Sequence, residues 1–192
     1  MNRLVLLCGA LLLFAGIASA QDEAPKVEVF GGYSYVRVNP GFGAPGLNFN
    51  GGSGSFAYNL TPMFGVVGDF GGYHWSQAGV DANVISYLFG PKVALRHGPI
   101  TPFAQALFGG ARISGSSGGC AGVAGRVRPE GFIGGCGSGS ENAFAMTIGG
   151  GVDWNATSHI GIRLIQGEYL LTHFLSNTQN NARISTGVVF RW

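Results

Sequence analysis

The last eleven residues, ARISTGVVFRW from Ala182 to Trp192, decide how the rest of the chain must be arranged. Side chains of a β-strand alternate between two faces, so this stretch has one apolar face and one small or charged face. The apolar face holds Ile184, Thr186, Val188, Phe190 and Trp192, and the other holds Arg183, Ser185, Gly187, Val189 and Arg191. As the final element, ending at an aromatic residue, this strand is suited to closing a cylinder of strands.

The composition indicates that the cylinder has hydrocarbon around it. Hydrophobic residues make up 46% of the chain and charged residues only 10%, whereas soluble domains carry about 25% charged residues. Glycine accounts for 35 of 192 residues without a collagen-like period. Glycine interspersed with aromatic residues is typical of crowded, strongly curved strands.

The N-terminus predicts export. A basic start at Arg3, an apolar run over 4–17 and Ala18-Ser19-Ala20 form a secretory signal peptide, with cleavage expected after Ala20. We therefore expect residues 1–20 to be a cleaved signal, 21–26 a periplasmic segment and 27–192 the barrel domain. Loss of Arg3 lowers the formal charge from +2 to +1, and near-neutrality argues against a nucleic-acid partner.

Eight stretches after the signal have strand character, each long enough for a tilted membrane strand. They cover residues 27–38, 47–58, 63–73, 83–95, 101–113, 143–154, 160–170 and 182–192. The connections 59–62, 96–100 and 155–159 are short, whereas 39–46, 74–82, 114–142 and 171–181 are longer. This alternation predicts an all-β, eight-stranded antiparallel up-and-down transmembrane barrel with three short periplasmic turns, four longer extracellular loops and both mature termini in the periplasm.

The face patterns of individual strands agree with lipid outside. In strand 6, Phe144 and Ile148 share a bulky face with Trp154, while small residues and Asp153 lie opposite. Strand 7 breaks the alternation, because Arg163 has odd parity while Gln166 and Glu168 have even parity. If all three point inward, a β-bulge near Ile165 must shift the register.

Four runs of sequence carry a family resemblance: PFAQALFGGARI at 102–113, AFAMTIGGGVDW at 143–154, IGIRLIQGEYL at 160–170 and NARISTGVVFRW at 181–192. They resemble the small outer-membrane β-barrel domains of Gram-negative bacteria, the group related to the OmpA transmembrane domain. The resemblance implies an eight-stranded barrel inserted into outer-membrane lipid by the barrel assembly machinery. It also implies a C-terminal assembly signal at Trp192, with Phe190 beside it. The chain departs from the group in its long, glycine-rich third loop and in the expected lack of a peptidoglycan-binding domain after Trp192.

Charged residues within the strands form the first group of candidate site residues: Asp69, Lys92, Asp153, Arg163 and Glu168. An unpaired Lys or Arg facing lipid at mid-depth costs about 2–4 kcal/mol, so these side chains should point inward and pair. We interpret them as a salt-bridge network that fills the lumen. A proton or ion path is disfavoured, because eight strands leave an interior that side chains can fill.

Cysteine and histidine supply the remaining candidates. Cys120 and Cys136 lie in the third loop, and in an oxidising compartment they are expected to form a disulfide. His74, His97, His159 and His173 lie at strand ends. His173 and Ser176 are close in sequence but lack a fixed carboxylate, so the pattern does not favour a lipid hydrolase. Interfacial girdle positions are predicted for Tyr33, Tyr35, Tyr73, Trp75, Trp154, Tyr169 and Trp192.

The sequence favours a structural or surface-exposed outer-membrane protein, monomeric, with a filled lumen and no catalytic activity, cofactor or metal. Three alternatives stay open: a narrow channel for small solutes, a lipid-modifying barrel enzyme, and a soluble lipocalin-like barrel. The sequence specifies neither a ligand nor an adhesion target.

Overall fold

The chain forms a closed barrel in which each strand pairs antiparallel with its neighbours in sequence and β1 pairs with β8. The computed structural model describes residues 24–39, 46–77, 80–96, 98–117, 138–174 and 177–192. The strands are β1 (Val27–Val38), β2 (Leu47–Asn59), β3 (Phe64–Gln77), β4 (Val80–Ala94), β5 (Ile100–Ser117), β6 (Ser138–Asn155), β7 (Ile160–Phe174) and β8 (Asn177–Arg191). The predicted eight-stranded antiparallel barrel is confirmed.

The closing strand joins the first strand as the C-terminal sequence predicted. Val27 N donates to Trp192 O at 3.0 Å, and Trp192 N donates to Val27 O at 3.0 Å. Further along this seam Gly32 is paired with Gly187. A Cβ added at Gly32 would lie 2.1 Å from Thr186 O, so the seam requires glycine because the two backbones approach too closely for a side chain.

The two ends of the barrel differ in strand length. The turn end, defined by the connections 60–63, 95–99 and 156–159, agrees with the predicted short turns. At the opposite end, called the loop end, the predicted loops 74–82 and 171–181 are too long, because β3 and β4 extend to Gln77 and Val80, and β7 and β8 extend to Phe174 and Asn177. The backbone ladder continues beyond Tyr73, Asn83, Leu170 and Ala182, where the sequence analysis placed the strand ends, so most of these two loops is paired as strand. The predicted loop 114–142 is also too long, because β5 and β6 extend to Ser117 and Ser138.

Most of the large apolar side chains point away from the barrel interior. Phe144, Ile148 and Val188 are all exposed on the outer surface, and the alternation in β8 is continuous from Asn181 to Trp192. The outward run on β6 spans ten residue steps from Phe144 to Trp154. At about 3.3 Å per residue and a tilt of about 40°, this run is about 25 Å tall, the height of the apolar band of transmembrane barrels.

The predicted bulge in β7 is confirmed. Arg163, Gln166 and Glu168 are all buried inside, while Leu164 and Ile165 both face out. The registers with β6 and β8 shift at this point. Thr186 Oγ1 donates to Arg163 O at 2.9 Å, which holds the backbone where the ladder is interrupted.

Two predicted girdle residues are instead inside the barrel. Tyr73 is buried, and Trp75 packs inward against Phe49 with ring centroids 6.3 Å apart. Both positions have the parity of Asp69 on β3, so strand alternation outweighs their position near a strand end. Together with Val36 and Leu88 they belong to an apolar cluster that occupies the interior towards the loop end.

Residues 1–23 lie outside the described part of the chain, so the signal peptide and the domain boundary before the barrel stay predictions. Within the described ranges, no helix is long and apolar enough to cross a membrane.

Candidate functional site: the ionic network of the lumen

In the described part of the barrel, eight charged side chains are buried, four of each sign. The four buried acids are Glu28, Asp69, Asp153 and Glu168, and the four buried bases are Lys92, Arg163, Arg183 and Arg191. They come from six of the eight strands. A buried charge is tolerated only when it is paired and hydrogen-bonded, so each of these side chains needs a partner inside the barrel.

The middle of the lumen is organised by Arg183 of β8. Its Nη1 lies 2.7 Å from Asp69 Oδ1 of β3, and its Nη2 lies 2.5 Å from Glu168 Oε2 of β7. Tyr73 Oη accepts a further hydrogen bond from Nη1 at 3.1 Å. Gln105 Nε2 of β5 donates to the other oxygen of Glu168 at 2.9 Å. The guanidinium thereby links three strands across the barrel, and β5 joins them through Glu168.

A second cluster lies towards the turn end and is built on Asp153 of β6. Arg163 of β7 donates to both carboxylate oxygens, from Nε at 2.8 Å and from Nη2 at 3.2 Å. Arg191 of β8 donates to Oδ2 from Nη2 at 2.9 Å. Arg163 also donates from Nη1 to Gln166 Oε1 at 2.6 Å. The fork geometry of arginine satisfies both oxygens of a carboxylate that is fully buried.

Glu28 of β1 joins this second cluster to β4. Lys92 Nζ lies 2.5 Å from its Oε2, and Arg96 Nη2 lies 2.9 Å from its Oε1. Arg191 Nε approaches the same Oε1 at 3.4 Å. Arg96 also donates to Pro62 O in the turn after β2. The first strand is therefore held to the turn end of the barrel by three cations.

Two inward aromatic rings fill the space around these ions. The guanidinium of Arg163 lies 4.3 Å from the ring centroids of both Phe30 and Phe103. Lys92 Nζ lies 4.8 Å from the Phe103 centroid. Cation–π contacts of this kind are strengthened when the cation is desolvated. The rings occupy volume that water would otherwise take, so the part of the lumen near the turn end is packed with side chains.

Hydrogen-bonded serine side chains extend the polar interior across the seam between β1 and β8. Ser34 of β1 is hydrogen-bonded to Ser53 of β2 at 2.5 Å and to Ser185 of β8 at 2.6 Å. This chain gives β2, which contributes no buried ion among its described residues, a polar link to its neighbours.

The five charged residues predicted from sequence all lie inside, and every one is ion-paired. Sequence reasoning did not include Glu28, Arg183 and Arg191 in the network. The signal was available for the two arginines, because both lie on the small or charged face of the closing strand. Glu28 lies one residue inside β1, and only its parity with the buried Phe30 marks it as inward.

Of the other candidate residues, the structure describes the side chains of His74 and His159, which lie at opposite ends of the barrel. His159 is exposed in a turn, where Nδ1 is 2.9 Å from Ser158 Oγ, and His74 is exposed near the loop end. Cys120, Cys136, His97 and Ser176 lie outside the described residues, as does the side chain of His173. Where the chain is described, no three His, Cys, Asp or Glu side chains are grouped to hold a metal ion.

The two residues of the predicted assembly signal lie on the outer surface. Phe190 and Trp192 are exposed, and their rings stack with centroids 6.3 Å apart. They stand beside the β1–β8 seam, where the terminal backbone pair closes the barrel.

Comparison with solved structures finds the same architecture. Neisserial surface protein A matches with a TM-score of 0.68 at 12% identity, covering 89% of this chain and 100% of that one. The attachment invasion locus protein Ail of Yersinia pestis matches with a TM-score of 0.60 at 16% identity, covering 88% and 99%. The N-terminal β-barrel domain of OprF from Pseudomonas aeruginosa matches with a TM-score of 0.53 at 14% identity, covering 88% and 100%.

These similarities confirm the resemblance to small outer-membrane barrels at the level of the fold. A second structure of Ail, in complex with the heparin analogue sucrose octasulfate, matches with a TM-score of 0.58 at 17% identity. No protein-family description and no curated protein sequence match the chain.

Proposed function

We propose that this chain is a structural, surface-exposed barrel of the Gram-negative outer membrane whose lumen is plugged. The observation that carries the proposal is the balanced network of four buried acids and four buried bases. An open pore would leave such groups hydrated, whereas here Asp153 and Arg183 are almost completely removed from solvent. Ion pairs that link strands on opposite sides of the barrel make the lumen rigid. They leave a poor path for ions or solutes.

The apolar outer surface supports the membrane placement. Phe70, Phe89 and Phe108 expose about half of their surface on neighbouring strands, and soluble proteins rarely expose a contiguous apolar band of this size. Hydrocarbon is the solvent that makes this surface favourable. The soluble lipocalin-like alternative would require the opposite arrangement, with the large apolar side chains inside.

The proposal includes an orientation, which the short turns at one end of the barrel support. The proposal places the turn end, with both termini of the mature barrel, in the periplasm and the loop end outside the cell. It includes cleavage of residues 1–20 before insertion, a disulfide between Cys120 and Cys136, and recognition of Phe190 and Trp192 by the barrel assembly machinery. The barrel acts as a monomer with outer-membrane lipid as its immediate partner.

The rim of the described strands does not favour a polyanionic ligand. The Ail complex contains a polysulfated sugar, and such a ligand needs a strongly basic surface. At the loop end of the described strands, Arg37 and Arg112 are accompanied by Asp81 and Glu141. The charges at this rim cancel, so these residues do not form a basic surface to which a polyanion would bind.

Single-channel recording in planar bilayers tests the plug. The wild-type barrel is expected to be silent. A triple variant in which Asp69, Glu168 and Arg183 are all changed to Ala removes the central ions without leaving one unpaired, and it is expected to conduct. Tyr33→Ala on the outer wall serves as the matched control and should stay silent. Steady openings of the wild type would instead establish the narrow channel.

Membrane fractionation with protease treatment of intact cells tests location and orientation. The protein is expected in the outer-membrane fraction, with cleavage confined to the segment 114–142. Lipid analysis of membranes with the wild type, with Ser176→Ala and without the protein tests the absence of catalysis. Identical lipid profiles are expected, and a product that disappears in Ser176→Ala would establish an enzyme.

A further inference from the structure

The outer face of the barrel carries a row of polar side chains across four strands near the loop end. Tyr35 of β1 is paired with Asn50 of β2, and His74 of β3 is paired with both Asn50 and Asn83 of β4. All four residues have the outward parity of their strands. Their side chains therefore lie side by side on one surface.

A second polar row follows towards the loop end, and a cleft interrupts it. Arg37 is paired with Asn48, and Ser76 is paired with Asp81. Asn48 and Ser76 are not paired with each other, because the ladder between β2 and β3 stops one rung earlier. The gap opens into a cleft of about 750 Å³, within the range of about 300–1,000 Å³ that small ligands occupy. The two rows together, called the rim patch, span three strand spacings, or about 14 Å.

Hydrogen bonds within this surface fix the amide side chains beside the cleft. Tyr35 Oη donates to Asn48 Oδ1 at 2.7 Å, and Tyr33 Oη donates to Asn50 Oδ1 at 2.5 Å. With both amide oxygens occupied, the two amide nitrogens remain as donors. Side chains that are already held in place lose less conformational entropy when a ligand binds.

The rim patch offers acceptors as well as donors. Each of the two tyrosine hydroxyls has given its hydrogen to an amide oxygen and keeps its lone pairs. Asp81 adds a carboxylate that is 48% exposed, and the hydroxyl of Ser76 can donate or accept. A ligand that pairs with all of these groups must itself both donate and accept hydrogen bonds.

The formal charges of the rim patch cancel. Arg37 lies at one end of the second row and Asp81 at the other. His74 turns both ring nitrogens to neighbours, with Nδ1 2.9 Å from Asn83 Oδ1 and Nε2 4.0 Å from Asp81 Oδ1. An anion would only accept, so it would leave the acceptors unpaired and lie near a carboxylate. Uncharged hydroxyl groups, which donate and accept, match the surface better.

Apolar surface adjoins the rim patch on two sides. Leu47 and Trp75 line the cleft and belong to the apolar cluster of the lumen. On the outer face, Ile85 is the outward neighbour of Asn83 along β4 and is 58% exposed. A molecule bound to the rim patch therefore lies where the apolar band of the outer surface gives way to polar residues.

We propose that the rim patch binds the neutral saccharide head group of a membrane glycolipid. Donors and acceptors without net charge match the hydroxyl groups of a sugar. The position next to Ile85 matches a head group whose hydrocarbon chains lie along the apolar band. This inference rests on the proposed membrane placement of the barrel.

Native mass spectrometry of the folded barrel, released from a detergent that contains no sugar, tests the site. The probes are digalactosyl diacylglycerol, diacylglycerol and phosphatidylglycerol with the same chains, and free digalactose. One digalactosyl diacylglycerol is expected to remain bound. The other two lipids should be retained at least about tenfold more weakly, because they leave polar groups of the site unpaired. Retention of the glycolipid should be the same at low and high ammonium acetate concentration, because the head group is uncharged.

The probes also separate the alternatives. Equal retention of diacylglycerol would overturn the saccharide assignment. Equal or stronger retention of phosphatidylglycerol would overturn the preference for a neutral ligand. Displacement of the glycolipid by free digalactose at the same concentration would overturn the assignment to a membrane lipid and indicate a soluble saccharide instead.

Matched variants test whether the rim patch is the site. Asn48→Leu removes a donor beside the cleft, while Asn142→Leu makes the same change at an exposed outward position on β6. Tyr35→Phe removes the hydroxyl that positions Asn48, while Tyr169→Phe removes an exposed hydroxyl on β7. Asn48→Leu is expected to reduce glycolipid retention at least about tenfold and Tyr35→Phe by a smaller factor, with both controls unchanged. Retention that does not distinguish the variants from their controls overturns the proposal.

Heat-dependent gel mobility is measured on every sample. A wild-type protein that shows no such shift and stays folded without detergent contradicts the membrane placement itself. A normal shift without glycolipid retention contradicts only the saccharide site. If Asn48→Leu does not fold, the comparison of Tyr35→Phe with Tyr169→Phe decides the result.

Discussion

Arg183 of the last strand lies 2.7 Å from Asp69 of the third strand, although the two residues are 114 positions apart in sequence. The contact spans the lumen rather than the sheet, because β8 and β3 are not neighbours in the barrel. It links β8, which closes the barrel, to β3, which comes much earlier in the sequence. A barrel held only by its hydrogen-bond ladder would lack this cross-link.

Arg183→Met is expected to destabilise the barrel strongly. The substitution leaves Asp69 and Glu168 buried without their shared cation, and breaking a buried ion pair from one side costs about 3–5 kcal/mol. Urea unfolding in lipid vesicles, followed by tryptophan fluorescence, measures the change. Arg112→Met is the control, because Arg112 is exposed and its described side-chain partner is Ser140. Equal unfolding midpoints for the two variants would contradict a structural role for the network.

Gly32→Ala and Gly31→Ala are expected to behave differently although they are adjacent. At Gly32 the new methyl group would lie 2.1 Å from Thr186 O, whereas at Gly31 it would meet nothing within 4 Å. Overpacking costs typically about 1–3 kcal/mol, so Gly32→Ala should lower the unfolding midpoint and Gly31→Ala should leave it nearly unchanged. The ratio of folded to unfolded protein on unheated gels checks this. A similar loss for both variants would contradict the close approach of β1 and β8.

Ile148→Arg tests which solvent surrounds the barrel. Ile148 lies midway along the outward run of β6, where Arg facing hydrocarbon costs about 2–4 kcal/mol, while near the interface the cost falls to about 0–1 kcal/mol. Ile160→Arg at the turn end is therefore the control, and it should be tolerated. Folding efficiency into lipid vesicles measures both. Insertion of Ile148→Arg as efficient as that of Ile160→Arg would argue against lipid at this surface.

Deletion of Leu164 tests the bulge in β7. Without the extra residue, either Arg163 or the pair Gln166 and Glu168 must turn towards the outside, because strand alternation permits only one parity. The deletion is expected to prevent folding in vesicles, while Leu164→Ala, which keeps the residue count, should fold. A folded deletion variant with a normal gel shift would show that the inward placement of these three residues is not required.

Much of the fold could be predicted because period-two patterns are local. The bulky face of β6 and the parity change between Arg163 and Gln166 are visible in the sequence, and they predicted the outward-facing apolar surface and the bulge correctly. The ends of strands at the loop end were predicted poorly. His74 and Asn83 are polar and resemble loop residues, yet their ladder continues to Gln77 and Val80. Polar residues continue a strand without penalty once the strand has left the apolar band, so no local signal marks its end.

The sequence by itself determined the number of strands, their order and which face points outward, since these follow from side-chain alternation and the scarcity of charge. Only the tertiary structure decided which ions pair, because closing the cylinder brings Glu28, Lys92 and Arg191 from three distant strands to one place. It also decided where the ladder between β2 and β3 stops. Pairing across a barrel depends on register and curvature, which the closed sheet fixes as a whole and no single segment encodes.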